Sequence, residues 1–525
     1  MNPSVVFARS KARVLFSSLA VLLLAGCATY QQETSQFTQS TKAGSFAAAV
    51  ATIDKKAEAA KGSKDEIVWR LEQGLSLRSA AMADPSQVLP PPAAPMAAPQ
   101  SGEMPAAAPA APTADEVHAY YIKRSIEAFD LAEARVNRYE EEAKTKVGSE
   151  IGAALTNQAN LPYRGRAYDK VMMNTYKALN YLAAGNRDNV RLELNRSLQR
   201  QRDAVAENEK RIAEAQEVVA KAKSGEAKTE DGKSAAYDTD RAMSDPRTGG
   251  ALQAALDASL APMKPYGDYV NPFSVFLDGL FFAAVGENGA DWERGRKSLE
   301  RVASIVPENP YLKDDLMMAS AAAEGKPVEG VTYVIFETGS APARDQVRVD
   351  IPTFLVTSKL AYVGASFPKL KFSSDYVATL GVGCSGQNFS TATIASMDSI
   401  VANDFKNEWP TIVTKTLITT ATKAIIQAAT QKAAEDRGGM WGGLAAGLIM
   451  GAINSATNIA DTRTWTSLPK EFQYARFATP ADRQLTLTAG AATQTLALMP
   501  GAVNVVYVKS SSSTAPLLVS QFALK

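Results

Sequence analysis

The chain of 525 residues has one histidine, His118, and two cysteines, Cys27 and Cys384. A zinc site built on imidazoles, the H-E-x-x-H motif included, is excluded, and a Ser-His-Asp triad would rest entirely on His118. That residue sits in Asp115-Glu116-Val117-His118-Ala119-Tyr120, beside a proline-rich stretch, and reads as a solvated residue at a helix start. An excess of one charge is also missing. The 56 Lys+Arg stand against 55 Asp+Glu, so the strong basic excess of a nucleic-acid binder is absent. No Walker A motif is present, and the sequence calls for no cofactor and no metal.

What is there begins with Arg9, Lys11 and Arg13, followed by an apolar run from Val14 to Ala25. A basic n-region, a short h-region and small residues at its end make a secretory signal. The run is too short to span a bilayer, which needs about 20 apolar residues. Its ending, Leu24-Ala25-Gly26-Cys27, resembles the bacterial lipobox. The resemblance implies cleavage before Cys27, diacylglycerol on its sulfur and an acylated (palmitate-type) new N-terminus. Two or more acyl chains hold a protein stably at a membrane, where one does not. In lipoproteins an Asp after the cysteine marks inner-membrane retention. Ala28 stands there here, which implies the periplasmic face of the outer membrane. Removal of Arg9, Lys11 and Arg13 with residues 1–26 takes the 56 basic residues to 53 against 55 acidic, a balance of −2. Cys384 is then the one remaining thiol, so no internal disulfide forms, and it is expected to be buried.

About 500 mature residues suggest two or three domains. Residues 27–44 read as a lipidated, polar tether rich in Thr, Gln and Ser. Residues 45–325 carry helical periodicity. Phe46, Val50, Ile53 and Ala57 form one stripe, Ile67, Leu71 and Leu75 a second, and Ile122, Ile126, Phe129 and Val136 a third. Gly185-Asn186 stops one helix and Asp188 opens the next. Another hairpin is expected over about 272–304, with Pro307-Glu308-Asn309-Pro310 closing it. Paired amphipathic helices are the unit of tetratricopeptide-type repeats. Two interruptions are expected: 85–112, with nine prolines among many alanines, as a mobile insertion, and 223–249 as a loop.

From Gly330 the pattern changes. Residues 331–336 read as a strand buried on both faces, with 347–351 as its hairpin partner. Residues 485–487, 495–498, 503–508 and 517–522 add four short strands, so 326–525 reads as a β-rich antiparallel domain. An inserted helical hairpin is expected over about 397–460. The fold class is therefore α+β, helical repeats first and sheet second.

Three motifs invite chemistry. Gly381-Val382-Gly383-Cys384-Ser385-Gly386 fits G-x-G-x-x-G after a strand expected over 376–380, but the following Gln387-Asn388 is a poor helix start, so it reads as a glycine-rich loop rather than a nucleotide site. With Gln387 where glycine is required, it also misses the nucleophile elbow. Gly443, Gly447 and Gly451 put a bare stripe on one helix within the uncharged stretch 438–460. Three readings stay open for it: a membrane-inserted helix, a seam between copies in a homo-oligomer, or a helix buried against its neighbours. Asp461, Arg463 and Trp465 follow. They are candidates for an interface, since Arg and Trp are common anchors, or for a rigid helix-to-strand junction.

Tyr163-Arg164-Gly165, the run from Tyr176 to Leu182, Val334-Ile335-Phe336-Glu337-Thr338-Gly339 with Pro342, and the run from Ala460 to Trp465 with Leu468-Pro469 resemble a family of uncharacterised proteobacterial outer-membrane lipoproteins. Their N-terminal halves are tetratricopeptide-like. The resemblance spans roughly 160–470 and carries no catalytic residue. It implies an envelope role, since members are linked to small lipoproteins resembling activators of penicillin-binding proteins; the 85–112 insertion departs from the family pattern. The expected function is a lipid-anchored periplasmic scaffold or adaptor, not an enzyme. It would bind an envelope protein partner through its helical half, in a multimeric assembly if the glycine stripe is a seam. The alternative is an enzyme or accessory factor acting on peptidoglycan or another envelope polymer through an Asp/Glu pair.

Overall fold

The computed structural model describes residues 30–92, 111–145, 158–224, 226, 237–264, 266–267, 269–355, 361–457 and 459–525. Helices fill the N-terminal half and sheets dominate the C-terminal part. Cys27 and most of the 85–112 insertion lie outside the described residues.

The expected tether is a helix, α1 (Tyr30–Lys42), and three of its residues are buried: Tyr30, Thr34 and Phe37. They sit at i, i+4 and i+7, one face of a helix. Tyr30 packs 5.0 Å from Trp69 and its hydroxyl donates to Glu72 at 3.2 Å. The polar composition hid this element because three inward side chains suffice to dock it.

Helices α2 (Phe46–Ala59), α3 (Glu66–Met82) and α4 (Ala114–Thr145) follow, then α5 (Ala167–Ala183) and the 38-residue α6 (Arg187–Ser224). Gly74 lets α3 and α4 approach, since a Cβ there would lie 2.4 Å from Phe129. The expected loop 223–249 contains α7 (Thr239–Ser244) and the start of α8 (Pro246–Leu260). Asp245 caps α8 through the amides of Arg247 and Thr248, with Pro246 in the first turn; this local signal outweighs the polar composition. Asn271 and Asn288 likewise cap α9 (Pro272–Val285) and α10 (Gly289–Ile305). Gly295 brings those two together, its missing Cβ being 2.5 Å from the Ala283 amide nitrogen. Helix α11 (Leu312–Ala323) ends the helical half.

Strands β1 (Val331–Thr338), β2 (Ala343–Pro352), β3 (Tyr362–Lys371), β4 (Gly381–Cys384), β5 (Gln387–Ser390) and β6 (Ala392–Ser396) precede α12 (Met397–Thr457). β7 (Glu471–Ala478), β8 (Gln484–Ala489), β9 (Ala492–Ala497), β10 (Val503–Ser510) and β11 (Leu518–Ala523) follow it. The main sheet runs β11-β10-β1-β7-β6, with a β5-β4-β8-β9 sheet and a β2-β3 ladder beside it.

β1 is buried at every position, and its alternation feeds two cores. Tyr333 and Ile335 face the helices with Tyr474 and Tyr507, while Val334 and Phe336 face the second sheet with Leu485, Leu487 and Val506. The first of these cores is continuous from Tyr30 to Leu524. The expected β1–β2 hairpin does not form. β1 pairs in parallel with β10 and antiparallel with β7, and β2 pairs with β3 from Ala343↔Lys371 to Pro352↔Tyr362. β10 and β7 take both hydrogen-bonding edges of β1, which leaves β2 to pair with β3. The parallel pair also corrects the expectation of a purely antiparallel domain. A further strand expected over 376–380 is irregular chain.

The expected helical hairpin is one continuous helix of 61 residues. No glycine or proline lies between Thr411 and Arg437 to break it, and Pro410 is accommodated inside it.

Candidate functional site

Asp461, Arg463 and Trp465 lie at the seam between the helical half and the sheets. Trp465 is fully buried, its ring 5.7 Å from Phe129 and 5.8 Å from Tyr176, and its Nε1 donates to Ser467 Oγ at 2.9 Å. The Arg463 guanidinium grips Asp461 with two bonds, at 2.8 and 2.9 Å, and reaches Asp65 at 2.8 Å and the Leu161 carbonyl at 2.9 Å. Burial would raise the Asp461 carboxyl, but Arg463 outweighs it and holds the group below the usual carboxylate range. One helix away, Glu72 accepts from the amides of Thr466 (2.6 Å) and Ser467 (3.1 Å), from both their hydroxyls and from Tyr30. Its full burial still pushes its pKa up. These three candidates are therefore held inside a latch between the two halves.

A second charge cluster adjoins the latch. Glu408 on α12 accepts from Arg166 at 2.6 and 2.7 Å, from Arg344 on β2 at 2.7 Å and from Arg211 on α6 at 3.3 Å. Burial opposes its ionisation, yet the three cations hold it down to about 2. One turn earlier, Asp404 is buried and neither of its oxygens has a hydrogen-bond partner among the described residues. Burial and the charge of Glu408 push it up to about 7. It lines a cavity of about 20 Å³ with Tyr168, Tyr269, Asn271 and Asn403. That is room for about one water, far short of a sugar or peptide substrate.

An open concavity of the helical half lies between α6 and the α9–α10 pair, with a volume of about 840 Å³. Its apolar lining is Leu198, Val205, Val270 and Val275; Arg202, Arg294, Lys297 and Arg301 supply cations, and Glu293 an anion. Arg294 is tied to Asp278 and lies 3.9 Å over the Phe282 ring. Lys297 stands 3.7 Å from Glu293. Arg202 and Arg301, both exposed, have no carboxylate partner among the described residues. Periodicity marks α9–α10 as a pair, but nothing local in the sequence brings their faces together with that of α6.

Of the other motifs, Gly381–Gly386 forms the β4–β5 hairpin, with Ser385 and Gly386 at φ +47° and +75° in a two-residue turn. These are the primed-turn conformations of tight hairpins, and no helix N-terminus follows to hold a phosphate. Cys384 is buried. His118 is partly buried in α4, its Nδ1 2.9 Å from the Ala81 carbonyl. Gly443, Gly447 and Gly451 share α12, but their surroundings lie outside the described residues. Among the described residues no helix is long and apolar enough to cross a membrane, and no group of three His, Cys, Asp or Glu is placed to hold a metal. Comparison of the chain with known protein families, curated proteins and solved structures returns no match.

Proposed function

We propose that this protein is a lipid-anchored scaffold of the bacterial envelope, held through acylated Cys27 at the periplasmic face of the outer membrane. Its helical half, built of tetratricopeptide-like pairs, presents a contact face to an envelope protein partner. The observation that supports this most directly is the docking of α1. Tyr30 is buried and bonded to Glu72 only three residues after Cys27. Three residues reach at most about 10 Å, so an anchored Cys27 would hold the folded body against the membrane rather than on a long leash. Confinement of this kind raises the effective concentration of other anchored partners without new contacts. Asp404 and Glu408, a carboxylate pair one turn apart on α12, face a one-water cavity and three arginines instead of a cleft. The test is Cys27→Ser. The variant is expected to lose palmitate labelling and to move from the membrane pellet to the soluble periplasmic fraction. Continued sedimentation with membranes would overturn the single-anchor reading.

A further inference from the structure

We propose that the groove between α6 and α9–α10 receives an acidic, amphipathic peptide segment of a partner protein. Carboxylates of that segment pair with Arg202 and Arg301, and its apolar side chains lie on Leu198 and Val205. The inference rests on the scaffold reading only in supposing a protein partner.

Three properties of the groove lead to this occupant. Its volume, about 840 Å³, is that of a concave ligand site rather than of a flat protein face. Its walls are both charged and apolar: Val205 is 37 % exposed, an aliphatic side chain that a partner would desolvate. Its charge is unbalanced in one direction. Arg294 has Asp278 and Lys297 has Glu293, which leaves Arg202 on one wall and Arg301 on the other without a counter-charge among the described residues. A guanidinium recognises a carboxylate by two parallel hydrogen bonds, so two carboxylates on one extended segment match two arginines on facing helices. A phosphate polymer would satisfy the arginines but leave the valine and leucine surface without a partner. The acidic peptide answers both.

The test uses the full-length chain in detergent and a fluorescein-labelled hexapeptide that alternates Asp or Glu with Leu or Val. Saturable binding is expected. It should weaken at least tenfold in the double variant Arg202→Glu/Arg301→Glu and fall as salt rises, because the pairs lie at a solvated rim. Val205→Asp should also weaken it, and a Lys-for-Glu version of the peptide should not bind. The double variant should melt with the wild type, since both arginines are exposed, so lost binding is not lost folding. Absence of saturable binding would overturn the proposal. So would equal binding of inorganic polyphosphate, binding indifferent to the charge reversal, or a groove blocked by self-association in sedimentation. Detergent binding does not require the lipid on Cys27, and fractionation of Cys27→Ser does not require the groove. The two readings therefore fail separately.

Discussion

The Glu408 cluster and the α6–α10 groove are both rich in arginine, and they differ in what surrounds the guanidinium groups. At Glu408, three arginines from α5's N-terminal cap, α6 and β2 converge on one largely buried carboxylate. In the groove, two exposed arginines have no carboxylate partner among the described residues. A buried cation must be paired, because leaving it alone costs several kcal/mol, whereas an exposed one costs almost nothing. The first cluster is thus committed to holding three segments together. The second keeps its charge for something outside the chain.

The contrast can be broken most severely at Glu408. Glu408→Gln leaves three cations without their shared carboxylate and is expected to cost about 3–5 kcal/mol, at the upper end because three partners are lost at once. Chemical denaturation measures it, and a loss under about 1 kcal/mol would show that water reaches the cluster. Trp465→Ala empties a site packed on Phe129 and Tyr176 and should cost about 3–5 kcal/mol in the same assay; near-neutrality would return Trp465 to the surface as an interface candidate.

Asp404 sharpens the comparison through pH. Its folded pKa of about 7 lies above the ~3.9 of an unfolded aspartate. Below about pH 4 both states hold the proton and the group has no effect. Between about 4 and about 7 only the folded state holds it, so its contribution turns against folding as pH rises and then levels off. Asp404→Asn should remove that slope, with a gain over wild type that grows from near zero at about pH 4 to a few kcal/mol at about pH 7. Glu408, held low, acts with the opposite sign: its stabilisation is present above about pH 4 and is lost as pH falls towards about 2. A gain that shrinks with rising pH would refute this assignment. The smallest effect belongs to the groove, where Arg202→Glu/Arg301→Glu should change stability by no more than about 0.5 kcal/mol while abolishing peptide binding.

Much of the helical half was legible because its signals are local. Phe46, Val50, Ile53 and Ala57 repeat at helical spacing, and Gly185 and Pro310 punctuate. The Asp245-Pro246 cap is also local and sets the start of α8, but the expected loop over 223–249 rested on the polar composition around it. Helix α1 was obscured because only Tyr30, Thr34 and Phe37 turn inward from a polar sequence. The continuous α12 contradicted an expected hairpin, since no glycine or proline lies between Thr411 and Arg437 to turn the chain. Of the candidate site residues, Asp461, Arg463 and Trp465 stood out in the sequence with two readings open, interface or rigid junction, and their packing between the two halves matches the junction. Arg202 and Arg301 did not stand out at all, since exposed arginines on charged helices carry no mark of the groove they share.

The chain by itself determined that helices come first and strands second, that β1 is covered on both faces, and that metal or triad chemistry has almost no histidine to work with. These follow from residue types and from spacings of two to four positions. Only the tertiary structure decided that β1 runs parallel to β10, that Arg463 reaches Asp65, and that Glu408 rather than an outside ligand answers Arg166, Arg344 and Arg211. Those partners are separated by 64 to 398 residues in sequence. Whether a charge is sealed in a pair or left open to a partner depends on which distant segment packs over it.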